Sequence, residues 1–278
     1  MRNFITEAFF SPSAIGQRFF LLRRPQNPKS TKGALLHIHA FAEEMNKSRR
    51  AVSQTAQYLA GQGWWVLQHD LLGCGDSSGD FGDATWEIWL DDVAAAFEWL
   101  ADRSGAMPVL WGLRVGCLLA LESLDRVRVK PNALFWQPVV AGHSYLNQFL
   151  RLKVAASGIA SSSGTVSTKI LLQTLTEGKP VEVGGYQLSR DLAVPMGQAG
   201  ARVSANRIGK ILLCELAGAP GEKGLSIGLT RKVLEWREAG CQVDSESVDD
   251  LPFWQTQEIA EGSGFQSATL QLLNRLDR

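Results

Sequence analysis

Pro108-Val109-Leu110-Trp111-Gly112-Leu113-Arg114-Val115-Gly116-Cys117-Leu118-Leu119-Ala120 is the stretch that decides the fold. Its first four residues form a short apolar run that reads as a buried parallel strand, and the apolar residues from Val115 onward read as the helix behind it. Gly112 and Gly116 flank the turn between the two, where side chains would crowd strand against helix. The middle side chain of such an elbow projects into a cleft, and the first amides of its helix can hold an oxyanion. An enzyme of this design places its nucleophile at the tip. Position 114 is arginine, which stays charged, offers several donors and does not act as an acyl-transfer nucleophile.

Reading outward, Gly33 to His39 is a second buried run, Ser48 to Ala60 a helix, and Trp64 to Asp70 a third strand. Leu71 to Gly79 is a tight glycine-rich loop. Thr85 to Leu100 carries Trp86, Trp89, Val93, Phe97 and Leu100 at helical spacing, giving an amphipathic helix. Ala133 to Trp136 is the next strand, Lys210 to Leu216 another, then a helix over Leu229 to Ala239, a last strand from Cys241 to Val248, and a partly helical tail from Thr256. Glu7 to Ser11 and Arg18 to Arg23 form an opening pair of strands. Alternation of strand and helix predicts an α/β protein with a mostly parallel central sheet flanked by helices, its ligands at the C-terminal strand ends.

The rhythm stops between Ser144 and Asn206. Tyr145 to Ala156 and the residues from Lys169 to Leu175 read as helices, Gly158 to Gly164 as a small polar link, and Gly184-Gly185 as a turn before a further short helix. Residues 144–206 are therefore expected to form a helical cap-like insertion within a single domain spanning 1–278.

A chain of 278 residues that is 45% hydrophobic and 20% charged, with a formal net charge of zero, suits a soluble globular protein and gives no case for nucleic-acid binding. Cys74, Cys117, Cys214 and Cys241 have no paired ligand spacing, which favours a reducing, cytoplasmic setting and no metal. The apolar run from Ala106 to Ala120 is too short for a transmembrane segment and is broken by Pro108 and Arg114. Polar and charged residues interrupt the opening segment, so no secretory leader is expected. Nothing calls for a cofactor.

Three segments carry a family resemblance: His37-Ile38-His39-Ala40-Phe41-Ala42-Glu43-Glu44-Met45-Asn46-Lys47-Ser48-Arg49-Arg50, Asp70-Leu71-Leu72-Gly73-Cys74-Gly75-Asp76-Ser77-Ser78-Gly79, and Trp111-Gly112-Leu113-Arg114-Val115-Gly116. The chain resembles the α/β-hydrolase superfamily and, within it, the exosortase A system-associated hydrolase 2 group, over nearly its whole length. That resemblance implies an α/β-hydrolase fold and a bacterial protein encoded with exopolysaccharide production and exosortase-dependent sorting. It also implies serine at position 114, an acid after a late strand and a histidine after the last strand. This chain has Arg114, offers Glu222 as a loose candidate acid, and follows its last strand with Leu251-Pro252-Phe253-Trp254; no histidine occurs after His143. Loss of both nucleophile and base removes the proton transfer of ordinary serine-hydrolase chemistry and points to a pseudoenzyme.

The expected function is thus binding of an anionic small molecule, glycan or acyl intermediate, or an accessory role in exopolysaccharide production. Arg114, the Val115 amide, His39, Glu43, Glu44, Trp136 and His143 are the candidate binding residues, with Phe253 and Trp254 available as an apolar wall. Either Glu43 or Glu44 could pair with Arg114. Two alternatives stand beside this reading. One is a noncanonical hydrolase or acyltransferase, for which Cys74 and Cys117 are the weak nucleophile candidates; the other is a scaffold that binds a protein partner.

Overall fold

The structure, a computed structural model, describes residues 3–160, 167–219, 221, 224–256 and 261–276. Eight strands form one sheet: β1 (Phe4–Pro12), β2 (Gln17–Pro25), β3 (Gly33–Ile38), β4 (Trp64–His69), β5 (Pro108–Leu113), β6 (Ala133–Trp136), β9 (Lys210–Leu216) and β10 (Gln242–Val248). Their order across the sheet is β1-β2-β4-β3-β5-β6-β9-β10. β1 and β2 pair antiparallel, β2 meets β4 antiparallel, and every pairing from β4 to β10 is parallel.

Strand periodicity sorts the side chains into two cores. Ala34, Leu36 and Ile38 of β3 join one, with α2 (Trp86–Ser104) and α3 (Gly116–Ser123) packed over it. Leu35 joins the other with Trp111, Leu134 and Trp136, beneath α1 (Glu43–Gly61) and α8 (Ser263–Leu273). Burying both faces is why the central strands read as continuous apolar runs. Helix α2 shows how locally the elements are written: the Thr85 hydroxyl accepts the Ile88 amide at 3.1 Å, Gly105 closes the helix at φ 68, and Trp86, Trp89, Val93, Phe97 and Leu100 form the buried stripe between.

The elbow is built as its glycines require. A Cβ on Gly116 would lie 2.3 Å from the Ile38 carbonyl oxygen, and one on Gly112 would lie 2.8 Å from the Cys117 nitrogen. Neither backbone can retreat, so the strand-to-helix turn is as tight as glycine permits.

One helix boundary differs from the sequence reading in a way that bears on the cleft. Helix α1 begins at Glu43 rather than Ser48, because Ala42 takes φ 51 and ψ −128 and turns the chain sharply. Glu43 and Glu44 then occupy the first turn, where a carboxylate complements the helix amides, rather than a loop. Between β6 and β9 the chain leaves the sheet and forms α4 (Gly142–Ala160), α5 (Thr168–Thr176), a hairpin of β7 (Val181–Val183) and β8 (Tyr186–Leu188), and α6 (Arg190–Gln198). Gly184 and Gly185, at φ 58 and 87, make the two-residue turn of that hairpin. Helix α4 packs against α6 and α5. After β9, α7 (Ile227–Glu238) leads to β10.

Candidate functional site

The C-terminal ends of β3, β5 and β6 deliver Phe41 to Glu44, Arg114 and Gln137 to one edge of the sheet. Arg114 sits at the elbow tip with φ 56, a strained conformation for a residue with a side chain. Its backbone is locked: the amide donates to the Trp136 carbonyl at 3.1 Å, while its carbonyl accepts from Cys117 at 3.1 Å and Val139 at 3.3 Å.

The guanidinium is held on several sides. Nε donates to both Glu44 oxygens at 3.3 and 3.4 Å, Nη2 to Glu44 Oε1 at 3.3 Å, and Nη1 to the Gln137 carbonyl at 3.5 Å. Its central carbon lies 5.7 Å from the Tyr145 ring centroid and 5.6 Å from that of Trp254, so two aromatic faces flank the cation. The Arg114 and Glu44 side chains are 13% and 15% exposed. Burial raises the Glu44 carboxyl above its usual range, and Arg114 and the Tyr145 hydroxyl partly oppose that. Burial, and then the Glu44 charge, pushes the Tyr145 phenol well above its usual value. The ion-pair contacts are longer than the roughly 2.7–2.9 Å of a tight charge-assisted bond.

Around this pair lies a cleft of about 370 Å³. Phe41, Tyr145, Phe149, Leu152 and Trp254 give it apolar walls, while Glu43, Glu44, Lys47, Arg114, Gln148 and Gln255 supply polar groups. Among the described residues, none lining this cleft is a serine, cysteine or histidine.

Of the candidates read from sequence, Glu43, Glu44 and Arg114 come together here, and Glu44 is the carboxylate that reaches the arginine. Glu43 instead accepts the Tyr186 hydroxyl at 3.1 Å and the Asn46 amide at 3.2 Å. His39 does not line the cleft. Its buried ring contacts the Ala40 carbonyl through Nδ1 at 2.7 Å and accepts the Leu71 amide at Nε2, 3.4 Å away, tying β3 to the loop after β4. Trp136 faces the other way: strand alternation sends it under α8, where its indole donates to Thr269 at 2.8 Å. Phe253 packs with it in the same core. The Val115 side chain is buried under the sheet, leaving only its backbone near the elbow.

His143 is exposed at the start of α4 and lines a separate hollow of about 280 Å³ between α4, α5 and α6. Cys74 and Cys117 are both buried, and burial pushes their thiols far up, the opposite of what a nucleophile needs. For Cys117 this overrides the helix start, and its Sγ faces the Trp136 carbonyl at 3.9 Å. Glu222 lies outside the described residues. Glu215, the buried carboxylate near the end of β9, is engaged elsewhere: it accepts the Ser226 amide and hydroxyl, each at 2.7 Å, and so caps α7. Among the described residues no cluster of three or more metal-ligating side chains occurs, and no helix is long and apolar enough to cross a membrane.

Sequence reasoning missed Lys47, Tyr145, Gln148, Phe149 and Leu152 as cleft residues. The signal was present: 145, 148, 149 and 152 share one face of a helix, and 43, 44 and 47 share another once α1 starts at Glu43.

A sheet of this order, its strand-elbow-helix at the centre and its cleft at the C-terminal strand ends define an α/β-hydrolase fold. Residues 29–183 match the family model described as serine aminopeptidase, S33, and the chain belongs to that family. Among solved structures it is similar to the esterase Est1E from Butyrivibrio proteoclasticus, solved with ferulic acid (TM-score 0.64, 13% identity, covering 98% of this chain and 100% of that one). It is also similar to a soluble variant of the monoglyceride lipase of Saccharomyces cerevisiae, solved with a substrate analogue (TM-score 0.64, 12% identity, 98% and 96% covered). A third is an esterase of Pyrococcus furiosus (TM-score 0.59, 12% identity, 99% and 92% covered). At such identities the likeness is one of fold. No curated protein matches the chain.

Proposed function

We propose that this protein has kept the hydrolase cleft and given up its acyl-enzyme chemistry, so that it binds an anionic ligand instead of hydrolysing an ester. The carrying observation is the replacement at the elbow: a cation fixed by Glu44, Tyr145 and Trp254 in a cleft with no serine, cysteine or histidine on its described walls. Proton abstraction from a nucleophile needs a base within hydrogen-bond reach; these walls carry no histidine, and their two carboxylates are engaged, Glu44 by Arg114 and Glu43 by Tyr186 and Asn46.

Several features support an anion as the ligand. Arg114 and Lys47 line the same cleft, and the start of α3 lies at the elbow. The contacts from Arg114 to Glu44 are long, and burial disfavours the ionised form of Glu44, so an incoming anion competes with a weakly engaged carboxylate. Residues 144–206 act as a cap, with α4 supplying the Tyr145, Phe149 and Leu152 wall. Resemblance of the 37–50 and 111–116 segments to the exosortase A system-associated group supports a glycan or acyl intermediate of exopolysaccharide production as the natural ligand. The protein then serves as an accessory that holds or delivers it inside the cell.

The test is mass spectrometry of small molecules retained by the native protein, compared with Arg114→Gln purified identically, together with assays on p-nitrophenyl and thioester acyl substrates. An anionic species lost with Arg114 and no turnover above background are expected. Sustained turnover by the native protein overturns this in favour of a noncanonical hydrolase or acyltransferase, and retention indifferent to Arg114 removes the proposed site.

A further inference from the structure

The Glu44 carboxylate is itself a clue to what Arg114 accepts. It lies against the Nε and Nη2 edge of the guanidinium with both oxygens in contact, the fork geometry that suits a planar carboxylate. The same cleft has apolar walls in Phe41, Phe149 and Leu152. A head of one shape and a body of another chemistry are thus written side by side.

Resting on the reading of this cleft as a binding site, we propose that its ligand is a carboxylate-headed acyl chain whose head takes Arg114 from Glu44, and that Glu44 accepts one proton from solvent as this happens. The reason is charge. Arg114 compensates Glu44 in a place where both are largely withdrawn from water, at 13% and 15% exposure. Two carboxylates cannot share one buried guanidinium in ionised form without one of them being neutralised. The ligand head gains the fork; Glu44, already raised by burial, takes the proton. No other charge has to move: Arg114 faces one anion before and after, Glu44 first and the ligand head afterwards.

The surroundings of Glu44 fit this role. From the elbow it faces Arg114; from α4, the Tyr145 hydroxyl; from its own helix, Lys47 and Glu43. The loop after β10 brings Trp254 and Gln255, neither of them charged, and Tyr186 of β8 is occupied by Glu43. Tyr145 donates to Glu44 while the carboxylate is ionised and can accept from it once it is protonated, so the contact survives with its direction reversed. Lys47 remains as the second cation for the head. Glu44 is then the residue that sets specificity: it holds the cation against neutral molecules and yields only to an anion, taking up a solvent proton as it does.

Decanoate is the probe, titrated calorimetrically into the full chain in phosphate-free buffers of different ionisation enthalpy. Decanamide serves as the neutral arm and acetate as the head alone. Expected are uptake of close to one proton per decanoate near neutral pH and affinity falling about tenfold per pH unit above the Glu44 pKa of the free protein. Glu44→Gln should bind decanoate more tightly, with no buffer dependence and a flat pH profile. Decanamide and acetate should bind at least tenfold more weakly than decanoate. Decanoate binding to the native chain with equal heat in all buffers, or a pH slope that persists in Glu44→Gln, overturns the proton exchange. No decanoate binding, or acetate binding as tightly, overturns the ligand class. Arg114→Gln and Arg114→Lys, checked for native thermal melts, separate the two levels: decanoate binding untouched in both says that the head does not sit at Arg114, and then the underlying binding reading fails as well.

Discussion

Trp254 lies with its ring centroid 5.6 Å from the Arg114 guanidinium carbon, in the loop after the last strand, where a hydrolase of this fold is expected to carry its histidine. A serine there would need a base; a buried cation needs an electron-rich face and a dry wall. Arg114 and Trp254 therefore form one chemical unit. Trp254 is also buried against Phe253 and Phe265, with centroid separations of 5.0 and 6.0 Å. Trp254→Ala should cost about 3–5 kcal/mol by cavity formation, read as a lower urea midpoint. Trp254→Phe should recover most of that loss while still weakening decanoate binding, because phenylalanine offers the cation a poorer face. Equal decanoate affinity in native protein and Trp254→Phe would dissociate the ring from the site.

Glu215 and Ser226 predict a second, independent loss. The carboxylate closes two bonds of 2.7 Å onto Ser226, the N-cap residue of α7, from a buried position on β9. Glu215→Gln keeps the shape but loses the charge and one acceptor, and should destabilise by about 1–3 kcal/mol. Ser226→Ala should cost about 1 kcal/mol as a lost helix cap. Because the two act on one contact, the double variant should cost less than the sum, which equilibrium unfolding of all four proteins measures. Strict additivity would mean that the clasp is not formed.

The elbow and the sheet were legible in sequence because both are local. Gly112, Gly116 and the buried runs around them announce their own geometry, and the mostly parallel character of the sheet follows from alternation of strand and helix. The walls of the cleft were not legible in the same way. Glu43 and Glu44 read as a loop because no apolar period covers them, and only the turn at Ala42, with φ 51, starts the helix there. Trp136 looked like a wall residue from its place at a strand end. One residue of strand phase decides the matter, and it turns the indole to Thr269 under α8. Tyr145 and Trp254 are more than one hundred residues apart in sequence, and their approach to Arg114 is a property of the assembled cleft alone.

Acid should find this fold's weak point at three buried histidines. Burial pulls His37 well below its usual value, lowers His39, and brings His69 to about 3, with neighbouring histidines adding to the effect for His37 and His69. A histidine whose pKa is lower in the folded state than the usual value near 6.5 binds fewer protons than the unfolded chain between those two values. Stability is then complete above pH about 6.5 and falls as pH drops towards the folded value. For His69 alone the loss should reach about 2 kcal/mol at pH 5. Urea midpoints from pH 8 to pH 4 should show this decline, with a shallower slope in His69→Phe. Unchanged midpoints across that range would show that these rings gain protons in the fold as readily as in the unfolded chain.

Restoring the serine should not restore the enzyme. In Arg114→Ser the hydroxyl would stand at the elbow tip beside the start of α3, yet the cleft offers it no histidine, and Trp254 cannot take a proton. Tyr145 is nearest in chemistry, but its phenol is pushed well above its usual value and so stays protonated at neutral pH. Glu44, released from Arg114 and largely buried, is driven further towards its neutral form and serves poorly as a base. Glu215 is committed to α7. Arg114→Ser should therefore release p-nitrophenol from p-nitrophenyl butyrate at the background rate, without a burst. Arg114→Ser with Trp254→His supplies a base, but of the two acids in the cleft Glu43 is held by Tyr186 and Asn46 and Glu44 is driven towards its neutral form, so its rate should remain orders of magnitude below that of a complete triad. A burst in the single variant that disappears on Tyr145→Phe would show the phenol working as a base, and the cleft would then have to be read as an enzyme's.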